Sequence, residues 1–342
     1  MSISRLAMMG AAGAGGGVDV ADVFSTDLYT GNYSTQTITN GIDLLGEGGM
    51  VWTKRRDTTG DHAVVDTARG PTSTSDVVGN GELATNSTAA GLDTDDFDAY
   101  LADGFRLRGN TGTSNTSGGS YAAWTFRQAP RFFDVVTYTG DGTAGRTISH
   151  NLGVTPGMIV VKRRDSTGGW SVYHRSAPQD NANLYMDTTG AGGPNQWSFG
   201  DSSVLIHPTD SVFTVGVNNN ASGGTYVAYL FAHDDADDGI IQCGSYTGNG
   251  STTGPTITLG WEPQYVMFKR SDGAGVWYLF DSARGAGAGN DAYLAANTSN
   301  AETSSFDAIE FMSTGFQLKN TDSTINASGG NYIYMAIRAE GV

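Results

Sequence analysis

Three short stretches of the chain alternate large apolar side chains in the same way. Ala122, Trp124 and Phe126 share one face of an extended segment, as do Val227, Tyr229 and Phe231, and Ile333, Met335 and Ile337. A period of two predicts strands with one face in a core. Upstream lie apolar runs broken by turn residues. Met50-Val-Trp-Thr-Lys54 and His62-Ala-Val-Val65 flank Asp57-Thr-Thr-Gly60, and Met158-Ile-Val-Val-Lys162 and Trp170-Ser-Val-Tyr173 flank Asp165-Ser-Thr-Gly168. Tyr265-Val-Met-Phe-Lys269 and Trp277-Tyr-Leu-Phe280 likewise flank Asp272-Gly-Ala-Gly275. Each set predicts a hairpin. No glycine-free helical stripe of about a dozen residues occurs, although Phe97 to Leu107 and Phe306 to Phe316 leave room for a helical turn.

The pattern is threefold. Asn115-Thr-Ser-Gly-Gly-Ser-Tyr121, Asn220-Ala-Ser-Gly-Gly-Thr-Tyr226 and Asn326-Ala-Ser-Gly-Gly-Asn-Tyr332 are spaced 105 and 106 residues apart. The same period relates Tyr29-Thr-Gly-Asn32, Tyr138-Thr-Gly-Asp-Gly142 and Tyr246-Thr-Gly-Asn-Gly250. It also relates Lys54-Arg-Arg-Asp57, Lys162-Arg-Arg-Asp165 and Lys269-Arg-Ser-Asp272. A period this long suits a domain rather than a solenoid turn. The expected fold is all-β: three tandem homologous antiparallel β-sandwich domains, jelly-roll-like in size, over 25–132, 133–240 and 241–342. An extended Gly/Ala-rich arm over 1–24 precedes them.

Composition narrows the partners. Nineteen basic against 35 acidic residues give a net charge of −16, which disfavours a nucleic-acid grip by phosphate neutralisation. No apolar run is long enough for a membrane-spanning helix. The single Cys243 excludes an internal disulfide. The first seventeen residues imitate a weak signal peptide. The glycines after the apolar run favour instead a flexible arm that docks Ile3, Leu6, Met8 and Met9 on a neighbouring subunit.

The repeated polar residues read as structure. With the hairpin symmetric about Thr59, Lys54 lies diagonally near Asp66, and Lys269 near Asp281, so cross-strand salt bridges are expected; repeat two has His174 at that position. Lys54, Asp57, Lys162, Asp165, Lys269 and Asp272 are therefore assigned structural roles. Asn115, Asn220 and Asn326 also match glycosylation acceptors, but the double glycine after each points to a tight turn. Asp-Gly and Asn-Gly at 141–142 and 249–250 predict hairpins, and Tyr33 in place of the final glycine predicts a different first turn in repeat one. The five histidines lack metal-site spacing. The acidic clusters at 93–98 and 234–238 lack the EF-hand pattern and read as solvated loops, the second as an interdomain linker. No catalytic residue, metal or cofactor is expected.

The succession Tyr246 to Gly250, Leu259 to Pro263, Lys269-Arg270, Trp277 to Gly285, Gly315-Phe316 and Asn326 to Tyr332 resembles the repeated β-domains of tailed-bacteriophage virion proteins, often tail-fibre-like. Repeats one and two carry it in part, and the first seventeen residues resemble arms that open marine-phage structural proteins. The resemblance implies a virion structural protein of the tail or tail fibre, anchored by its arm. Its partners would be other tail or capsid subunits, further copies of itself and a host-surface glycan, the last met through aromatics such as Trp197 or Trp261. A capsid decoration protein with three domains in a pseudo-threefold unit, and a carbohydrate-binding module or depolymerase, are the alternatives.

Overall fold

A computed structural model describes residues 18–70, 81–91, 96–109, 113–178, 183–194, 196–287 and 289–341. It is almost entirely β, in several antiparallel sheets. The arm residues Ile3, Leu6, Met8 and Met9 lie outside the described residues.

Each sequence repeat contributes one large and one small sheet. In repeat one Phe24–Thr30, Ser120–Arg127, Gly49–Arg55 and His62–Asp66 lie side by side in that order. Gln36–Thr39, Gly104–Leu107 and Phe97–Leu101 form the small sheet. Repeats two and three follow the same order around Thr225–Ala232 and Asn331–Arg338. The two sheets face each other across a core: Ile38, Phe105 and Leu107 meet Val51, Val65 and Ala123 in repeat one, and Ile257, Phe316 and Leu318 meet Val266, Phe268 and Ala336 in repeat three. The segments that left room for a helical turn are instead hairpins of the small sheets, Phe97–Leu101 with Gly104–Leu107 and Ile309–Met312 with Gly315–Leu318.

The last strand of each repeat was expected to bury one face, yet Tyr121 to Phe126 are all buried, as are Tyr226 to Ala232 and Tyr332 to Ile337. One face packs within its own sandwich. The other, carrying Trp124, Tyr229 and Met335, joins a single cluster that runs through all three repeats. A strand covered on both sides needs the near-continuous apolar run these segments have.

The Tyr-Thr-Gly segments differ from expectation. They do not close hairpins, because Phe133–Thr139 pairs with Thr225–Ala232 whereas Arg146–Ser149 pairs with Val212–Val215 in the other sheet. The turn crosses between sheets and is held by the buried asparagine of the second motif. Asn220 Oδ1 accepts from the Asp141 amide, and its Nδ2 donates to Asp141 and to the Thr143 carbonyl. Asn115 and Asn326 do the same for their own turns. With their amide nitrogens buried and committed, these asparagines are turn plugs. A Cβ on Gly31, Gly140 or Gly248 would sit within 2.3 Å of a carbonyl oxygen of that motif, so glycine is required there.

The first turn of repeat one does not differ either. Tyr33 adopts φ 60°, matching Gly142 at 83° and Gly250 at 69°, and donates to Asn115 O as they donate to Asn220 and Asn326. The turn geometry is imposed by the plug, and Tyr33 takes the left-handed strain. Relief of that strain by Tyr33→Gly, less the entropy glycine adds to the unfolded chain, should stabilise the protein by about 0.5–1 kcal/mol. A denaturation midpoint that fails to rise would show that the half-exposed tyrosine side chain contributes more than its backbone costs.

Candidate functional site: a closed ring and its two ends

The repeats meet through ties that occur three times at equivalent positions. Gly60 N donates to Ser299 O, Gly168 N to Thr88 O and Gly275 N to Thr189 O. These bonds run from repeat one to three, two to one, and three to two, which closes a ring. A return set confirms the closure: Glu302 N to Arg56 O, Gly91 N to Arg164 O and Gly192 N to Ser271 O.

Side chains repeat the cycle. His62 Nε2, Trp170 Nε1 and Trp277 Nε1 each lie 3.0 Å from a carbonyl oxygen of the neighbour, those of Ala295, Ala84 and Tyr185. His62 Nδ1 accepts from Trp52 Nε1, so its Nε2 is the donor. One step along, Trp124 Nε1 donates to Asp281 at 2.9 Å and Tyr229 Oη donates to Asp66 at 2.8 Å. At the third equivalent position the last strand offers Met335, which cannot donate, and the aspartate is replaced by His174. Its Nε2 bonds the Tyr334 carbonyl at 3.0 Å. The departure of His174 from the repeat pattern is thereby explained by its partner.

Asp66 and Asp281 are fully buried and each binds an arginine three residues on, Arg69 and Arg284, rather than a lysine. The expected Lys–Asp salt bridges are absent for a reason of register: Lys54 faces His62 and Asp66 faces Met50. All three lysines are buried instead, with Nζ donating to carbonyls at the turn, Arg55 O, Arg163 O and Arg270 O, and for Lys54 and Lys162 also to the neighbouring repeat at Ser299 O and Thr88 O. Burial draws each ammonium pKa down to about 8. Asp57, Asp165 and Asp272 lie on the turn and pair with Arg55, Arg163 and Arg270 at 2.8, 3.0 and 2.8 Å.

One interface has no linker across it, that between repeats three and one. It carries a further network, in which Arg56 grips Glu302 through two bonds of 2.8 and 2.9 Å and Arg284 reaches the same carboxylate at 3.3 Å. The equivalents of Glu302 at the two linked interfaces are Gly91 and Gly192. Arg284 also stacks over Trp124, 5.2 Å from the ring centre. The seam that no linker spans thus adds ion pairs to its backbone bonds.

On the axis the same position of each repeat supplies Trp52, Val160 and Met267, around a cavity of only about 20 Å³. Phe126 lies edge-on to Phe231 at 5.5 Å and to Tyr265 at 6.4 Å, so rings from all three repeats touch. Among the described residues the axis is packed.

The ring has distinct ends. Phe24 opposes Phe126, Phe133 opposes Phe231 and Ile241 opposes Ile337, which puts the start of the described chain, both linkers and the final strand end together. The acidic cluster of the second linker works here: Arg131 of the first linker binds Asp234 at 2.7 Å and Asp238 at 2.6 Å. Of the other cluster, Asp93 and Asp95 lie outside the described residues, Asp96 accepts from the Thr113 and Ser114 amides, and Asp98 pairs with Arg106. Among the described residues no His/Cys/Asp/Glu group is arranged to hold a metal. Cys243 is buried and its thiol pKa is pushed up by burial. The two aromatics proposed for surface contact part company: Trp197 is 47% exposed, whereas Trp261 is buried at 5% within the repeat-three core and is no surface residue.

What fold and site define is a closed β-ring whose repeated polar residues hold turns, interfaces and linkers. The chain belongs to the family described as a domain of unknown function, DUF7483, whose match covers residues 19–340. That stretch takes in all three sheet pairs. No curated protein matches the chain.

Proposed function

We propose that the chain is a structural protein of a bacteriophage virion, a tail or tail-fibre component made of three tandem homologous β-sandwich domains behind an anchoring arm. The closed ring carries this reading. The repeated residues that could do chemistry are occupied in holding repeats together, and the surfaces through which three separate copies would trimerise are used within one chain. Partners therefore meet the outside of the ring. Both linkers and residues 18–23 gather at one end, which suits attachment there and presentation of the opposite turns. The sequence resemblance supplies the virion context.

The pseudo-threefold arrangement specifically favours a second reading, capsid decoration, since a block with three equivalent flanks fits a lattice point where three subunits meet. Cryo-electron microscopy of the particle that contains this chain separates the two. Density in the tail, with the linker end against a neighbouring subunit, is the expected result. Density on the capsid lattice transfers the assignment to decoration, and absence from the particle overturns both in favour of a free sugar-binding protein.

A further inference from the structure

The ring departs from its threefold pattern at one surface. Repeats one and three complete the small sheet with the edge strands Phe97–Leu101 and Ile309–Met312, whereas among the described residues the small sheet of repeat two has only Val212–Val215 and Arg146–Ser149. In place of the edge strand runs a loop over residues 196–205. This loop and the adjoining Val217 carry Trp197, Val204 and Val217, three of the five large apolar side chains exposed among the described residues.

The loop is built, not slack. Gly216 N donates to Ser198 O, Asn218 N to Trp197 O and Ser202 N to Gln196 O, while Gly145 N reaches Gly200 O. A Cβ on Gly216 would lie 2.4 Å from the Trp197 carbonyl, and one on Gly200 would lie 2.0 Å from that of Val204. Asp201 takes the Ser203 and Val204 amides, and Ser202 is held at φ 73°. A backbone fixed this way presents the indole to a ligand without the entropy cost of ordering a loop.

We propose that this loop is a binding platform for a neutral polysaccharide, with the apolar face of a hexose ring lying on Trp197. The proposal deepens the reading above by naming what the outside of the ring would meet, but is tested on the purified chain, so it stands or falls apart from the particle assignment. The chemistry selects the ligand class. An exposed indole offers a flat apolar surface with a donor at its edge, suited to a ligand that is apolar on one face and hydroxylated at its rim. Gln196 and Asn218, beside it in the backbone, are neutral side chains able to meet hydroxyls in both directions. No Lys or Arg lies in 196–206 or 216–220. The nearest arginine along the strand, Arg146, is tied to Thr139 O and Asn220 and lies 3.6 Å from Asp141. With Asp201 in the loop and a net charge of −16, an acidic polymer would be repelled.

Trp197 is exposed whereas Trp52, Trp124, Trp170, Trp261 and Trp277 are buried, so acrylamide quenching of tryptophan emission reports this site. Dextran, laminarin and galactomannan serve as neutral probes and alginate as the acidic one. The expected result is that at least one neutral polymer protects Trp197 from quenching and retards the chain in affinity electrophoresis. Trp197→Ala should lose that retardation by about tenfold or more, as for an aromatic hot spot. Leu28→Ser, an equally exposed apolar site in repeat one, should leave it unchanged. Full quenching with every neutral polymer, protection by alginate alone, or retardation that survives in Trp197→Ala would each overturn the proposal.

Discussion

Replacing Asp66 by alanine should cost about 3–5 kcal/mol of stability, the loss that follows when one partner of a buried charge pair is removed. The side chain is fully buried against Arg69, itself 2% exposed, and it also accepts from the Arg69 amide and from Tyr229 of the next repeat. Alanine would strand the guanidinium, whose remaining bonds to Gly81 O and Val64 O do not offset a charge. It would also leave the Tyr229 hydroxyl, buried in the common core, without its acceptor. The double change Asp66→Ala with Arg69→Met removes both charges and should recover much of the loss. By contrast Asp57→Ala breaks an ion pair at the solvent edge and should cost no more than about 1 kcal/mol. Because one apolar cluster passes through all three repeats, guanidinium unfolding of the variant should remain a single transition at lower denaturant. A separate early step confined to repeat one, or a loss under 1 kcal/mol, would show that the tie between repeats is weaker than its geometry indicates.

The strands were legible because their signals are local. Alternation, β-branched runs and the Asp-to-Gly turns placed the hairpin and the last strand of every repeat, and the period of the motifs aligned the three copies. Register was not legible, because a shift of the turn centre by one residue, from Thr59 to Thr58, moves the partner of Lys54 by two, from Val64 to His62. The centre is set by contacts distant in sequence: Asp57 pairs with Arg55 and accepts from the Ser120 amide on another strand. The Tyr-Thr-Gly segments misled for a similar reason. Their dipeptides satisfy hairpin chemistry, but the backbone path is dictated by Asn220 and its equivalents some 80 residues away.

The ring itself was hidden because its interface residues look like core. Trp124, Tyr229 and Met335 occupy one position of the repeat, and Asp281, Asp66 and His174 occupy another. Read within a repeat, Trp124 goes with Asp66, Tyr229 with His174 and Met335 with Asp281, and no rule joins them. Read one repeat onward, every donor has a carboxylate and the residue that cannot donate has a histidine instead. The polar tip of a tyrosine or indole on an otherwise apolar strand face was the signal, since most buried donors find an acceptor. Trp261 shows the limit of composition: an aromatic among Gly, Glu and Pro reads as a surface contact, yet it packs inward at the foot of a strand.

Acid should open the ring well before it titrates most carboxylates. His62 and His174 are buried at interfaces between repeats and are neutral, with pKa values pushed down to about 3 and about 4. Burial is the main cause for both. For His62 the Lys54 and Arg284 charges add to it, and for His174 the Arg175 charge does, while the bonds to Ala295 O and Tyr334 O oppose it. The unfolded chain binds these protons near pH 6.5 and the folded chain does not. Their stabilising contribution is therefore complete above pH 6.5 and falls as pH drops from there toward the folded values. Each residue should approach a loss of about 1.4 kcal/mol per pH unit once the pH is below the unfolded value, so that the pair removes about 3 kcal/mol between pH 6.5 and pH 5. Over the same interval Asp57 and Asp165, held near pKa 2 by their arginines, stay ionised and contribute no slope. Stability measured by denaturant at half-unit steps should show this limb, and His62→Gln with His174→Gln should flatten it while lowering stability at pH 7. An acid limb that begins only below pH 4.5, or one that the double variant leaves unaltered, would mean that the histidines take up protons without breaking the contacts between repeats.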